Sequence, residues 1–194
     1  SPYRVKILQQ LKLPFDTCAP DIDESAEPGE NTHDYVSRLA LSKARAVAGQ
    51  YHDTLVIGSD QACTLNGLIM GKPGTEEAAR KQLKMCSGNW LEFHTGLALV
   101  NTQKGSEQVV VETFKVKFRQ LSDDQIKTYI QLDQPLNCAG SFKAESLGIS
   151  LFEAMEGNDY NTLLGLPMIS LVTLLESEGL SPLLSPSARA ANEE

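Results

Sequence analysis

An α/β fold built on a mixed, twisted sheet with flanking helices is predicted from three observations. Segments with helical apolar spacing and capping residues recur along the chain, as at Thr32 and Ser122 to Gln125. β-branched and aromatic runs of strand length stand between them, the clearest being Leu55-Val56-Ile57. Asn66-Gly67 separates two such runs, which is the strongest short hairpin signal. Hairpins together with helices argue for a sheet that is not purely parallel. No repeat or long linker breaks the pattern, so a single domain over residues 1–184 is expected, followed by a polar, disordered tail over 185–194.

In chain order, Ser1-Pro2 reads as an N-cap and first helical position, and Val5, Ile7, Leu8 and Leu11 form an apolar stripe ending near Leu13. The macrodipole disfavours Arg4 in that first turn; Arg4 is either solvent-exposed or the partner of an anion such as a phosphate. Residues 13–18 read as a short strand. The loop after them carries Asp21, Asp23 and Glu24, which are either solvated or, if they face Asp60, able to share a hard divalent cation with it. Thr32 is expected to cap a helix reaching about Tyr51, with Val36, Leu39, Ala40, Ala46 and Val47 inward and Lys43 along its length.

The run Leu55-Val56-Ile57 ends in Gly58-Ser59-Asp60-Gln61. Asp60 is either a catalytic group delivered at a strand end or an acid that opens a turn. The extended stretch continues to Leu65, turns at Asn66-Gly67 and returns through Leu68, Ile69 and Met70. Gly71-Lys72-Pro73-Gly74 leads into Thr75, the expected cap of a helix reaching about Met85. This is not a P-loop, since Pro73 follows Lys72 and the spacing is short, but Lys72 retains the reach of a point charge for a phosphate.

Residues 90–102 and 107–120 are extended segments joined around Gly105, and Ser122 to Gln125 is a capping box opening a helix to about Leu132. Residues 135–145, rich in small side chains, read as a binding loop more than a core element. Residues 149–156 return to strand character. Gly165-Leu166-Pro167 starts a last helix that runs to Glu178 and stops at Gly179.

Composition narrows the function. The 194 residues are 41% hydrophobic and 22% charged, as in an ordinary globular domain. The net charge of −8 argues against a general nucleic-acid surface, though a few focused Lys and Arg residues suffice for a small anion. No apolar run reaches the length of a membrane span. Four scattered cysteines and three histidines form no zinc-ligand spacing, and free thiols in a reducing cytoplasm are expected.

The pattern as a whole resembles the Maf family of nucleoside triphosphate pyrophosphatases. The matching pieces are Ser1-Pro2-Tyr3-Arg4, Asp23-Glu24, Arg38-Leu39-Ala40 with Ser42-Lys43-Ala44, Gly58-Ser59-Asp60-Gln61, Gly71-Lys72-Pro73, Cys138-Ala139-Gly140-Ser141-Phe142 and Gly165-Leu166-Pro167. The resemblance implies an elongated, two-lobed fold with a central cleft, related to inosine triphosphatases. It also implies a cytoplasmic homodimer that acts on small nucleotides, with a link to cell-division arrest. Relatives begin with an apolar strand and a Ser-containing turn before the position of Ser1, so the resemblance also implies a missing inner strand.

By the same resemblance, Asp60 is the proton acceptor in hydrolysis of the α–β phosphoanhydride. Asp23 or Glu24 joins Asp60 in holding Mg²⁺ or Mn²⁺, and Arg4, Lys43 and Lys72 bind the triphosphate. Tyr3, Gln61 and Glu145 stand where the dTTP/UTP branch has Arg, Thr and Gln, and match the branch that hydrolyses 7-methyl-GTP. The alternatives are a pyrophosphatase for dTTP, UTP or another modified nucleotide, and a non-catalytic nucleotide-binding regulator.

Overall fold

The computed structural model describes residues 1–184; the tail expected over 185–194 lies outside the described residues. The helices are α1 (Pro2–Leu8), α2 (Thr32–Ala48), α3 (Glu76–Cys86), α4 (Asp123–Asp133), α5 (Tyr160–Leu163) and α6 (Met168–Ser177). The strands are β1 (Leu55–Leu65), β2 (Leu68–Ile69), β3 (Trp90–Asn101), β4 (Ser106–Phe118) and β5 (Phe152–Glu156). They form one sheet in the order β2-β1-β3-β4-β5. The α/β class holds, and the sheet is antiparallel where a mixed one was expected, as the edge registers Leu65 on Leu68 and Lys115 on Glu156 show. Sequence spacing does not reveal the direction of a strand after an intervening helix.

The chain divides into two compact units. One comprises Ser1–Asp60, Thr95–Glu112 and the chain from Gly165; the other comprises Gln61–His94 and Thr113–Leu164.

In the first unit α2 is capped by Asn31, whose Oδ1 accepts the Asp34 N–H at 2.9 Å, one residue before the expected Thr32. Val36, Leu39, Ala40 and Ala44 are fully buried along its inner face. The helix lies directly on the sheet at two glycines. A Cβ at Gly58 would stand 2.1 Å from the Ala40 carbonyl oxygen, and one at Gly96 would stand 2.2 Å from that of Val36. Residues 13–18 form no strand. Pro14 supplies no N–H for a ladder there, and the polar stretch after it stays irregular as far as Asn31.

The end of α6 is fastened by polar groups. The Glu178 carboxylate accepts from Asn101 Nδ2 at 2.7 Å, Ser106 Oγ at 2.8 Å, Gln108 Nε2 at 2.9 Å and Lys104 Nζ at 3.0 Å. The Asn101 bond chiefly, then those from Lys104 and Ser106, pull its pKa down from the ordinary 4.5 to about 2. A depressed carboxylate contributes stability that is complete above 4.5 and is lost as pH falls toward 2. Glu178→Gln is therefore expected to flatten the acid limb of a stability–pH curve in that window, as urea midpoints at successive pH values would record; an unchanged limb would contradict this.

The second unit is built around aromatic residues. Phe142 meets Phe93, Phe118 and Phe152 edge-on at centroid distances of 5.4, 5.5 and 5.0 Å. Residues 135–145 therefore do more than form a binding loop: Gly140, Ser141, Phe142 and Ala144 are buried core. The strand expected over 149–156 begins only at Phe152, because Leu147–Leu151 is a 3-10 turn. Gly148 makes that turn possible, since a Cβ there would lie 2.3 Å from the Lys143 carbonyl oxygen. Thr75 and Ser122 cap α3 and α4 as expected, Ser122 within a complete capping box.

Candidate active site

Alternation along β1 sorts its motif onto two faces. Gly58 and Asp60 face α2, while Ser59 and Gln61 face the other side of the sheet. The missing side chain at Gly58 lets α2 approach, and two residues later the buried Asp60 carboxylate meets Lys43 from that helix. Lys43 Nζ lies 2.6 Å from Asp60 Oδ1 and 2.6 Å from Glu24 Oε1. Burial alone would lower the Lys43 pKa; hydrogen bonds to Asp60 and Glu24 outweigh it, and the ammonium titrates above its ordinary 10.5. One cation thus bridges two carboxylates from a strand and a loop.

Arg4 is also part of this assembly, though through the backbone. Its Nε donates to the Gly165 carbonyl at 2.6 Å and its Nη1 to the Ser59 carbonyl at 2.9 Å, while Ser59 Oγ donates to the same Gly165 oxygen at 2.9 Å. Burial lowers the guanidinium's pKa and the nearby Asp60 and Glu24 charges oppose that shift. A guanidinium stays protonated regardless. Three separate sequence motifs, at 1–4, 58–61 and 165–167, meet at this one side chain.

Two residues that received no role from the sequence hold the Glu24 loop. Arg38 donates to both oxygens of Glu30 at 2.6 and 2.7 Å and to the Ser25 carbonyl at 3.0 Å, and Tyr35 Oη donates to the Glu24 carbonyl at 3.0 Å. Glu30 is drawn down to about 2, first by its bond from Arg38. The signal was the spacing of Tyr35 and Arg38, which puts both on one face of α2 toward the loop that precedes it. Asp23 does not join the pair at Lys43; it is exposed and its carboxylate accepts the Ser25 N–H at 2.9 Å.

The carboxylates of Asp60 and Glu24 are a donor set that fits Mg²⁺ or Mn²⁺ shared with substrate phosphates, which typically needs only one or two protein carboxylates. Among the described residues, no group of three or more His, Cys, Asp or Glu side chains is arranged to hold a metal ion on its own.

The remaining expected residues lie in the second unit, apart from Tyr3 on α1, a residue that is 44% exposed. Gln61 Nε2 donates to the carbonyls of Thr162 at 2.7 Å and Leu163 at 3.2 Å, which ties β1 to α5. Lys72 is exposed on the approach to α3, where Gly74 N–H donates to the Leu136 carbonyl at 2.9 Å. Glu145 is exposed, directly after the buried Ala144 of the aromatic core.

Among solved structures, the chain is similar to a nucleoside-triphosphatase / dITP/XTP pyrophosphatase from Mycobacterium abscessus. The match has 17% identity and a TM-score of 0.39, and covers 62% of this chain and 72% of the other. The family model described as Maf-like protein matches residues 1–178, which takes in every motif named above, and the chain belongs to the Maf family.

Proposed function

We propose that this Maf-family nucleotide pyrophosphatase hydrolyses 7-methyl-GTP to 7-methyl-GMP and pyrophosphate, a house-cleaning reaction that keeps a modified nucleotide out of nucleic acids. The observation that supports catalysis most is the Asp60 carboxylate held against Lys43 at 2.6 Å. Asp60 takes a proton from water as its oxygen attacks the α-phosphorus; the bond from that phosphorus to the bridging oxygen breaks, and pyrophosphate leaves with the electron pair. Lys43 has three N–H donors, and its two carboxylate partners leave one for a phosphate oxygen. Arg4 contributes fixed positive charge beside Asp60, and Lys72 adds a mobile one. A divalent cation on Asp60 and Glu24, when bound, shields phosphate charge and polarises the attacked centre.

Base choice falls to Tyr3, Gln61 and Glu145. The 7-methylguanine ring is cationic, which suits the exposed face of Tyr3 and the carboxylate of Glu145; that carboxylate also accepts from the guanine N1–H and amine. Gln61 offers an amide to a base edge, although its nitrogen here serves Thr162 and Leu163. A homodimer working in the cytoplasm completes the proposal; no helix among the described residues is long and apolar enough to cross a membrane.

The test follows pyrophosphate release from 7-methyl-GTP, GTP, dTTP and UTP with Mg²⁺ and with Mn²⁺. The expected result is the highest kcat/KM for 7-methyl-GTP. A preference for dTTP or UTP would overturn the substrate, and calorimetric binding with no product over hours would favour a regulator. Sedimentation returning only monomer would remove the dimer.

A further inference from the structure

The exposed Glu145 sits on a short stretch whose every neighbour is held. Lys143 N–H donates to Tyr129 Oη at 3.0 Å, and Lys143 Nζ donates to the Asp133 carbonyl at 2.6 Å. The Ala144 carbonyl accepts from Tyr160 Oη at 3.2 Å, and Ser146 Oγ donates to Asp133 Oδ1 at 2.6 Å. The Lys143 carbonyl closes the turn by accepting from Ser146 N–H at 3.2 Å and Gly148 N–H at 3.1 Å. Glu145 is thus the corner of a turn held by four external hydrogen bonds from three anchors, Tyr129, Asp133 and Tyr160, and its own carboxylate stays in solvent.

Two of those anchors come from one helix face. Tyr129 and Asp133 are four residues apart on α4, so their side chains stack one turn above the other and both reach the same stretch. Tyr129 is 3% exposed and Asp133 is 9% exposed. Asp133 Oδ2 is a buried oxygen with no hydrogen-bond partner among the described residues, an arrangement that costs free energy and that folds rarely keep without a use. Its twin Oδ1 is spent on Ser146, next to Glu145. Tyr160, the third anchor, is itself set by an edge-on contact with Phe114 at 6.1 Å. Burial chiefly raises the Tyr160 pKa, and the Glu145 charge adds to it.

We infer that Tyr129 and Asp133 are positioning residues for Glu145, and that through Lys143 and Ser146 they set how sharply the enzyme separates one nucleotide base from another. This rests on Glu145 reading the base, as proposed above. A carboxylate that must accept two parallel hydrogen bonds from a guanine edge discriminates only when its backbone is held; on a loose turn it reorients to suit other bases. The sequence between α4 and β5 builds such a hold from residues that touch no substrate.

The test measures kcat and KM for 7-methyl-GTP, GTP, dTTP and UTP, taking discrimination as the ratio of kcat/KM between the best and poorest of the four. Ser146→Ala is expected to lower discrimination about tenfold. The loss should fall on KM for the best substrate, and Ser146→Thr, which keeps the hydroxyl, should recover most of it. Tyr129→Phe and Asp133→Asn are expected to follow Ser146→Ala; should Asp133→Asn fail to fold, Ser146→Ala and its Thr rescue decide. Glu145→Gln is the reference. If Glu145→Gln leaves discrimination unchanged, Glu145 does not read the base and the inference falls with that reading. If Glu145→Gln abolishes discrimination and Ser146→Ala leaves it intact, the clamp alone is overturned. An equal fall in kcat for all four nucleotides would mark the anchors as structural and overturn it too.

Discussion

Asp60→Asn is expected to reduce pyrophosphate release by about 10² to 10⁴-fold in kcat, the usual worth of a positioned general base. The change isolates chemistry because it leaves the local structure almost whole. Asparagine has the same shape, and its Oδ1 still accepts from Lys43, which keeps Glu24 as a charged partner at 2.6 Å. Stability should therefore fall by only about 1 kcal/mol, or roughly 2–4 °C in melting temperature for a chain of this size. What Asn cannot do is take a proton from water. At saturating Mg²⁺ KM should move little, since the cationic side chains proposed to hold phosphates are retained, while the Mg²⁺ concentration needed for half-maximal activity should rise because a carboxylate ligand is lost. Activity within a fewfold of the parent would remove Asp60 from the role of base.

Gly58→Val produces the opposite pattern, a folding defect. The Ala40 carbonyl oxygen lies 2.1 Å from where the new Cβ must go, and the Ala44 nitrogen lies 2.8 Å away. Both are backbone atoms of α2, so no side chain can rotate aside, and the helix must lift from the sheet. Overpacking of an ordinary core costs 1–3 kcal/mol, and here about 3 kcal/mol or more is expected because rigid backbone takes the strain. That corresponds to a fall of roughly 6–12 °C in melting temperature. Lifting α2 also draws Lys43 from Asp60, so activity measured below the new melting point should drop as well. A variant that melts within 2 °C of the parent, by about the resolution of such a shift, would show that the helix has slack.

Local signals in the sequence were good guides to local structure. Thr75 and the Ser122–Gln125 capping box mark their helix starts because a cap is an interaction within four residues. Asn66-Gly67 marks its hairpin because both residues adopt positive φ there. Asn31 was passed over for Thr32 because either side chain caps a helix and only the backbone φ and ψ separate them. The strands misjudged, at 13–18 and at 149–151, failed for a nonlocal reason: extended residues become a strand only when a neighbour completes the ladder, and no short-range pattern reports that neighbour.

The candidate site shows the same division. Asp60 was visible as an acid ending an apolar run, and Lys43 as a charge on a helix, but nothing in either stretch reveals the 2.6 Å contact between them. The roles of Tyr35 and Arg38, the second already part of the Arg38-Leu39-Ala40 motif, come from the loop that both side chains hold. Phe142 hid in plain composition: small residues around it suggested a loop, whereas one aromatic ring carries three edge-on contacts. Gly58 and Gly96 are where α2 rests on the sheet, a close approach that no local pattern announces.

The fastening of Glu178 bears on how the protein can be handled. Residue 178 is where the family match stops, and it is also where four side chains from the β3–β4 hairpin region take hold of the last helix. Just past it the Leu180 N–H donates to the Leu175 carbonyl at 2.9 Å and Ser181 Oγ to Glu176 Oε1 at 2.9 Å, which closes the end of α6. A graft at residues 102–106 would cut into the clasp, because Lys104 and Ser106 of that turn both bond the Glu178 carboxylate.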